Sequence, residues 1–246
     1  MSAIPLKHEE IFYPDSDGQP FADSDLQRRV IMDLLHALDT RYAGDEGVYV
    51  SGDLLIYYIE GNPGASIAPD AFVVPGAGKG LRRSYKLWKE RRVPVIAFEI
   101  ISLTGWKKVL REKKDIYERI GIEEYVVFDP DGEFVRPRLQ GFRLVDGRYR
   151  PVPTEPDGSL VSRALGLRIA PEGENLRLTD LVTGERLLWA EEEAAARKVA
   201  EERADHAEER ADREAAARRT AEDEIARLRA ELENERSRFR KTSDEG

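Results

Sequence analysis

The sequence predicts an α/β domain with a mixed β-sheet flanked by helices, followed by a long charged helix, and three features predict it. Residues 93–101 and 124–128 are almost wholly apolar over strand length, the mark of strands buried on both faces. Apolar residues recur at helical spacing at Val30, Ile31, Leu34, Leu35 and Leu38, and an amphipathic helix fits residues 106–119. From about Leu188 the composition changes abruptly: Gly and Pro vanish until the terminal Gly246, and Ala, Glu and Arg dominate.

Residues 1–22 are rich in Pro, Asp and Gly and read as an irregular segment. Asp23 or Ser24 is the expected N-cap of the first helix, which Gly44 and Gly47 punctuate. Residues 48–59, rich in β-branched and aromatic side chains, form one strand or two broken at Gly52. A turn at 61–64 and a short strand at 69–74 follow, then a Gly-rich loop with basic residues. Gly121 is the expected stop of the second helix, and a turn at 129–132 closes the strand at 124–128. Residues 133–188 contain short strands between Gly and Pro turns, which suggest antiparallel hairpins. The expected domains are therefore 1–22, 23–188 and 189–246.

The 246 residues contain no cysteine, which excludes disulfides, thiolate metal sites and a cysteine nucleophile. The N-terminus lacks the basic-then-apolar form of a secretory signal, and no run is apolar enough to span a membrane, so the expected location is cytoplasmic, with no membrane partner. The net charge of −9 excludes a wholly basic nucleic-acid coat, yet bases bunch locally. One group is Lys79, Arg82, Arg83, Lys86, Lys89, Arg91 and Arg92; the other is Lys107, Lys108, Arg111, Lys113 and Lys114. Either stretch can meet phosphates, or be a solvated face. In the tail, Ala200, Ala204, Ala207, Ala211, Ala221, Ile225, Leu228, Leu232 and Phe239 follow heptad spacing, interrupted at Glu214, Arg218 and Glu235. Such a seam predicts a coiled coil and a homo-oligomer, with a dimer as the simplest form, although an Ala seam buries little and also suits an isolated helix.

Two acids sit where an apolar strand makes them costly. Asp70 opens a strand after Pro69, and Glu99 lies inside Val-Ile-Ala-Phe-Glu-Ile-Ile. Two carboxylates on neighbouring strands, with a backbone carbonyl, make a hard oxygen site suited to Mg²⁺ or Mn²⁺. Such an ion can activate water against a phosphodiester. Each acid taken alone is also compatible with a purely structural role, Glu99 pairing with an arginine and Asp70 starting a strand or turn. The three histidines, His8, His36 and His206, are scattered and suggest no zinc site. Residues 76–80 lack the spacing of a nucleotide-binding phosphate loop.

Four segments occur in order: Ala-Pro-Asp-Ala-Phe-Val-Val from Ala68, Ile-Ala-Phe-Glu-Ile-Ile-Ser from Ile96, Glu-Lys-Lys-Asp-Ile-Tyr from Glu112, and Gly-Ile-Glu-Glu-Tyr-Val-Val-Phe-Asp-Pro from Gly121. Together they resemble the Uma-type restriction endonucleases, a family built on the PD-(D/E)XK nuclease core, over roughly residues 24–185. The resemblance implies a restriction-endonuclease-like core, a DNA substrate, and Asp70 and Glu99 as metal-binding acids. It also implies the Ile100 carbonyl as a further ligand. The usual lysine two positions after the glutamate is replaced by Ile101, and the resemblance moves that role to Lys113, four before Tyr117, with Lys114 as the next candidate. Asp25 occupies a position where relatives often carry an acid, and it also suits the first turn of a helix. Relatives often carry an aspartate where this chain has Val109. Ser102 suits a turn cap or a phosphate contact.

Two readings follow. In one, the protein is a metal-dependent endonuclease in which Asp70 and Glu99 hold the ion and Lys113 orients the attacking water. In the other, the nuclease-like core is a silent scaffold that acts through its coiled-coil tail.

Overall fold

The computed structural model describes residues 11–18, 20–103 and 105–243, with side chains described as far as residue 234. The described chain forms two compact units, Met1–Ala190 and Glu191–Gly246. The first unit opens with α1 (Asp25–Arg41), then β1 (Val48–Ser51), β2 (Ile56–Tyr57), β3 (Ser66–Ile67), β4 (Ala71–Pro75), β5 (Tyr85–Lys86), α2 (Leu87–Glu90) and β6 (Ile96–Ile100). It continues with α3 (Trp106–Lys108), a π-helical turn (Val109–Lys113), α4 (Lys114–Ile120), β7 (Glu124–Phe128), β8 (Leu139–Val145), β9 (Arg148–Val152), β10 (Leu160–Ser162), β11 (Leu167–Glu172) and β12 (Asn175–Asp180).

The main sheet has six strands in the order β1-β4-β6-β7-β8-β9. Only β6 and β7 run parallel; every other neighbouring pair in it is antiparallel. A parallel pair needs a crossover, and the helical segment 106–120 supplies it. Val30, Ile31, Leu34 and Leu38 of α1 pack with Val73, Ile96, Phe98 and Ile100 on one face, where the β10–β12 residues Leu167, Ile169 and Leu178 join them. Tyr117, Val109 and Ile122 pack with Phe72, Ala97, Tyr125 and Val127 on the other. Both faces of β6 and β7 are thus covered, which is why those segments are apolar throughout. The expected mixed α/β architecture is present.

Ser24 is the N-cap of α1, its hydroxyl accepting from the Gln27 N–H at 3.1 Å. The segment expected at 48–59 forms two strands, β1 and β2, interrupted around Gly52. Asp146 and Gly147 turn the β8–β9 hairpin with φ of 51° and 72°, the backbone that suits the twist of a two-residue hairpin. The helix expected over 106–119 is present but not uniform, because the π-helical turn divides it; Gly121 closes it at φ 87°.

The second unit is one helix, α5 (Ala190–Ser243). Arg–Glu pairs four residues apart, such as Arg213–Glu209 and Arg227–Glu231, lie along it. Val199, Ile225, Leu228 and Leu232 are exposed on it. Glu235 and Phe239, the last steps of the expected seam, lie outside the residues whose side chains are described. No helix among the described residues is long and apolar enough to cross a membrane.

Candidate active site

Asp70 and Glu99 face each other because of strand register. The β4–β6 pairing sets Ala71 opposite Phe98, so Asp70 falls beside the Glu99–Ile100 peptide. The Ile100 N–H donates to Asp70 Oδ2 at 2.6 Å. Side chains alternate along a strand, so Glu99 shares the face of Ala97, away from Phe98 and α1. It is 1% exposed. Gly52 makes room for this corner: a Cβ there would stand 2.1 Å from the Asp70 carbonyl oxygen.

Above that face, the helical crossover brings two polar side chains down onto Glu99. Lys113 Nζ donates to Glu99 Oε1 at 2.9 Å, to Oε2 at 2.7 Å and to the Ala68 carbonyl at 2.9 Å. The Tyr117 hydroxyl donates to Glu99 Oε1 at 2.5 Å. Lys113 and Tyr117 lie one turn apart, so a single helix face serves both. A lysine at position 101 would share this sheet face, but Ile101 is packed there among Val109, Tyr117 and Tyr125, and the amine comes from the helix instead.

Charge balance explains the titration of the group. Burial pushes the Asp70 carboxyl up to about 8; the charge of Glu99 adds to the rise, while Lys113 and the Ile100 N–H oppose it. Burial also raises Glu99 against the opposition of Lys113 and Tyr117. For Lys113 burial pulls downward, but the charges of Glu99 and Asp70 and the bonds to Glu99 outweigh it and hold the amine above the ordinary lysine value. One ammonium therefore stands beside two carboxyl groups, of which Asp70 keeps its proton up to about pH 8.

A cavity of about 450 Å³ opens over these groups, lined by Asp70, Glu99, Ile100, Lys113, Lys108 and Ser102 among others. Asp17 and Asp53 line it as well. Burial raises the Asp53 carboxyl, and Asp17 adds to the rise. Asp53 has φ 49° and follows Gly52 into the corner beside Asp70. Sequence reasoning missed it, although an acid directly after a glycine in a broken strand was the available signal. Gln27 was missed too. Its Nε2 donates to the Ile100 carbonyl at 2.8 Å, and a polar side chain in register with Val30 and Ile31 on the buried stripe of α1 was its signal.

Two expected residues are elsewhere. Asp25 pairs with Arg28 and its side chain is 92% exposed, because it lies off the face of α1 that Gln27 turns inward. The Lys114 ammonium lies over the Phe142 ring at 3.9 Å, since the next position along the helix points about 100° away from Lys113. Val109, where relatives often carry an aspartate, is buried within the π-helical turn. Ser102 caps a turn, its hydroxyl accepting from the Gly105 N–H at 3.2 Å. Of the first basic group, Arg82 is bound to Glu90 and set over the Tyr49 ring, and Arg83 pairs with Asp15. These two serve the fold's own contacts.

The model of the Uma2 family, described as putative restriction endonucleases, matches residues 3–173. The chain belongs to the Uma2 family. Its sheet and crossover are consistent with a restriction-endonuclease-like α/β fold, and the family's description supports a nuclease. Among solved structures, a putative nuclease from Anabaena variabilis ATCC 29413 is 13% identical, with a TM-score of 0.43 over 57% of this chain and 74% of that one. No curated protein matches the chain.

Proposed function

We propose that this Uma2 protein is a metal-dependent endonuclease that hydrolyses DNA phosphodiester bonds with Mg²⁺ or Mn²⁺. The observation that carries the reading is the convergence of Asp70, Glu99 and Lys113 on one cavity.

The donor set fits a hard divalent ion. No group of three His, Cys, Asp or Glu side chains able to hold a metal occurs among the described residues. Mg²⁺ does not need one, because it is commonly held by one or two carboxylates with water and substrate phosphate completing its shell. Asp70, Glu99 and the Ile100 carbonyl would hold the ion. When bound, it would make water more acidic and offset charge on the phosphate. Gln27 fixes the carbonyl from behind, and Tyr117 fixes the Glu99 carboxylate. Lys113 stays charged and donates hydrogen bonds, so its role is to orient the attacking water and balance the phosphate. Water adds to phosphorus, the bond to the leaving sugar oxygen breaks, and that oxygen takes a proton. Lys108, which lines the cavity, and its sequence neighbours Lys107 and Arg111 suit backbone phosphates, which predicts salt-sensitive binding.

The test is plasmid cleavage with Mn²⁺ by wild type, Glu99→Ala, Lys113→Ala and Asp25→Ala. Glu99→Ala and Lys113→Ala are expected to lose about 100-fold or more, and Asp25→Ala to match wild type. Equal cleavage by all four proteins sinks the assignment.

One observation favours a second reading, a catalytically silent scaffold acting through α5. Lys113 holds both Glu99 oxygens, so an ion must displace it. Calorimetric titration separates the two, since the scaffold binds neither Mg²⁺ nor Mn²⁺. Under either reading we propose self-association through the apolar seam of α5, and a nuclease acting on DNA is placed in the cytoplasm.

A further inference from the structure

A π-helical turn ends at Lys113, the residue whose amine meets Glu99. An α-helix has 3.6 residues per turn, so the extra residue of a π turn rotates everything after it by about 100°. The turn covers Val109–Lys113, so Lys113 is its last residue and Tyr117 follows one turn later on α4. Continued as plain α-helix from α3, the chain would present a different pair of side chains to Glu99. Such a turn strains the backbone hydrogen-bond ladder, and something must hold it open.

Tyr125 is placed to do so. It stands on β7, opposite Ala97 of β6, in the rigid centre of the sheet. Its ring is fully buried between Tyr117, Phe142 and Tyr149, at centroid distances of 5.2, 5.8 and 6.0 Å. Its hydroxyl donates to the Val109 carbonyl at 2.9 Å, at the first residue of the π turn. A phenylalanine would suit these aromatic neighbours without a polar atom to satisfy, so the hydroxyl is there for the carbonyl.

We propose that Tyr125 is a positioning residue for the hydrolysis: by anchoring the Val109 carbonyl to the central sheet, it holds the π turn that swings the Lys113 amine onto Glu99. The proposal rests on the nuclease reading for its kinetic consequence, but its structural half can be measured without cleavage.

The experiment compares full-length wild type, Tyr125→Phe and Tyr149→Phe. Tyr149 is the matched control, because its hydroxyl also donates to a buried carbonyl, that of Ile122, at 2.9 Å, away from the turn. The first readout is the side-chain ¹⁵N–¹H NMR signal of the Lys113 ammonium, assigned by its loss in Lys113→Arg; an amine shielded from water and held by three acceptors keeps such a signal. Tyr125→Phe is expected to lose or shift it, while Tyr149→Phe keeps it. The second readout is Mn²⁺-dependent cleavage, in which Tyr125→Phe should lower kcat about 10–100-fold with KM for DNA unchanged. A Lys113 signal retained in Tyr125→Phe, or absent from wild type, overturns the proposal, as does an unchanged kcat in an active protein. If wild type does not cleave, the nuclease reading fails and the NMR comparison still decides the positioning claim. Should Tyr125→Phe not fold, 3-fluorotyrosine at position 125 keeps the ring and strengthens the donor; the Lys113 signal should then move, and an unmoved signal overturns the proposal.

Discussion

Lys113 and Glu99, fourteen residues apart in the chain, meet through two hydrogen bonds of 2.9 and 2.7 Å, and the carboxylate has almost no other access to water. Removing the amine leaves Glu99 a buried charge with the Tyr117 hydroxyl but without its cationic partner. Lys113→Met should therefore cost about 3–5 kcal/mol of stability in the absence of divalent ions. Urea unfolding in EDTA measures it, and Mn²⁺ should return part of the loss by replacing the missing positive charge. A midpoint equal to that of wild type would show that Glu99 does not depend on Lys113.

Asp70 gives a signed pH dependence. Its folded-state carboxyl lies at about 8 against an ordinary 3.8. Between those values the folded chain keeps a proton that the unfolded chain has released. Stability of the metal-free protein from this group therefore falls as pH rises through that window, by at most about 1.4 kcal/mol per pH unit for one proton. Asp70→Asn cannot ionise and should lack this slope. Subtracting the Asp70→Asn unfolding curve from that of wild type isolates it; parallel pH profiles would contradict the assignment. A bound divalent ion favours the ionised carboxylate, so Mn²⁺ should flatten or reverse the wild-type slope.

The parts of this site that were legible in the sequence are those set by local pattern. Glu99 stood out because a carboxylate in an apolar strand needs a partner, and Asp70 because it opened the neighbouring strand after Pro69. Strand alternation then places both on one face. Lys113 and Tyr117 were reached only through the family resemblance, since helical spacing says they share a face and not which way it points. That direction depends on the π turn, and the hydrogen bond that accompanies it comes from Tyr125 on the next strand, a tertiary contact that helical periodicity does not carry. Asp25 illustrates the same limit: the helix was legible, but two residues of rotation separate an exposed Asp25 from an inward Gln27. Asp17 and Asp53 reach the cavity through irregular backbone, for which no periodicity exists to read.

Gly52 tests how closely the Asp70 corner is packed. A Cβ at position 52 would collide with backbone, at 2.1 Å from the Asp70 carbonyl oxygen, and backbone cannot rotate aside as a side chain can. Gly52→Ala should cost about 1–3 kcal/mol by forcing the segment before β4 outward. It should also weaken Mn²⁺ binding, because Asp70 moves with that segment. Gly44→Ala is the control, since a Cβ there meets nothing within 4 Å. Thermal unfolding and calorimetric titration of the two variants check both claims; a Gly52→Ala protein with wild-type affinity would mean that the corner adjusts without moving Asp70.

The α5 seam predicts an assembly. Ile225, Leu228 and Leu232 follow heptad spacing and are 50, 53 and 55% exposed on the described chain. Three large apolar side chains lie within two turns of this charge-rich helix, and a second copy of α5 offers a matching surface. The alanines earlier in the seam bury little, so the association should rest on this last apolar stretch. Sedimentation of the full-length protein should give a dimer, and Leu228→Glu/Leu232→Glu should reduce it to the 27.9 kDa monomer by placing like charges across the seam. Arg229→Glu, a charge change one position away from the seam, should leave the dimer intact. A wild-type protein that sediments at 27.9 kDa over the micromolar range, or a double variant that stays dimeric, removes the seam as the interface.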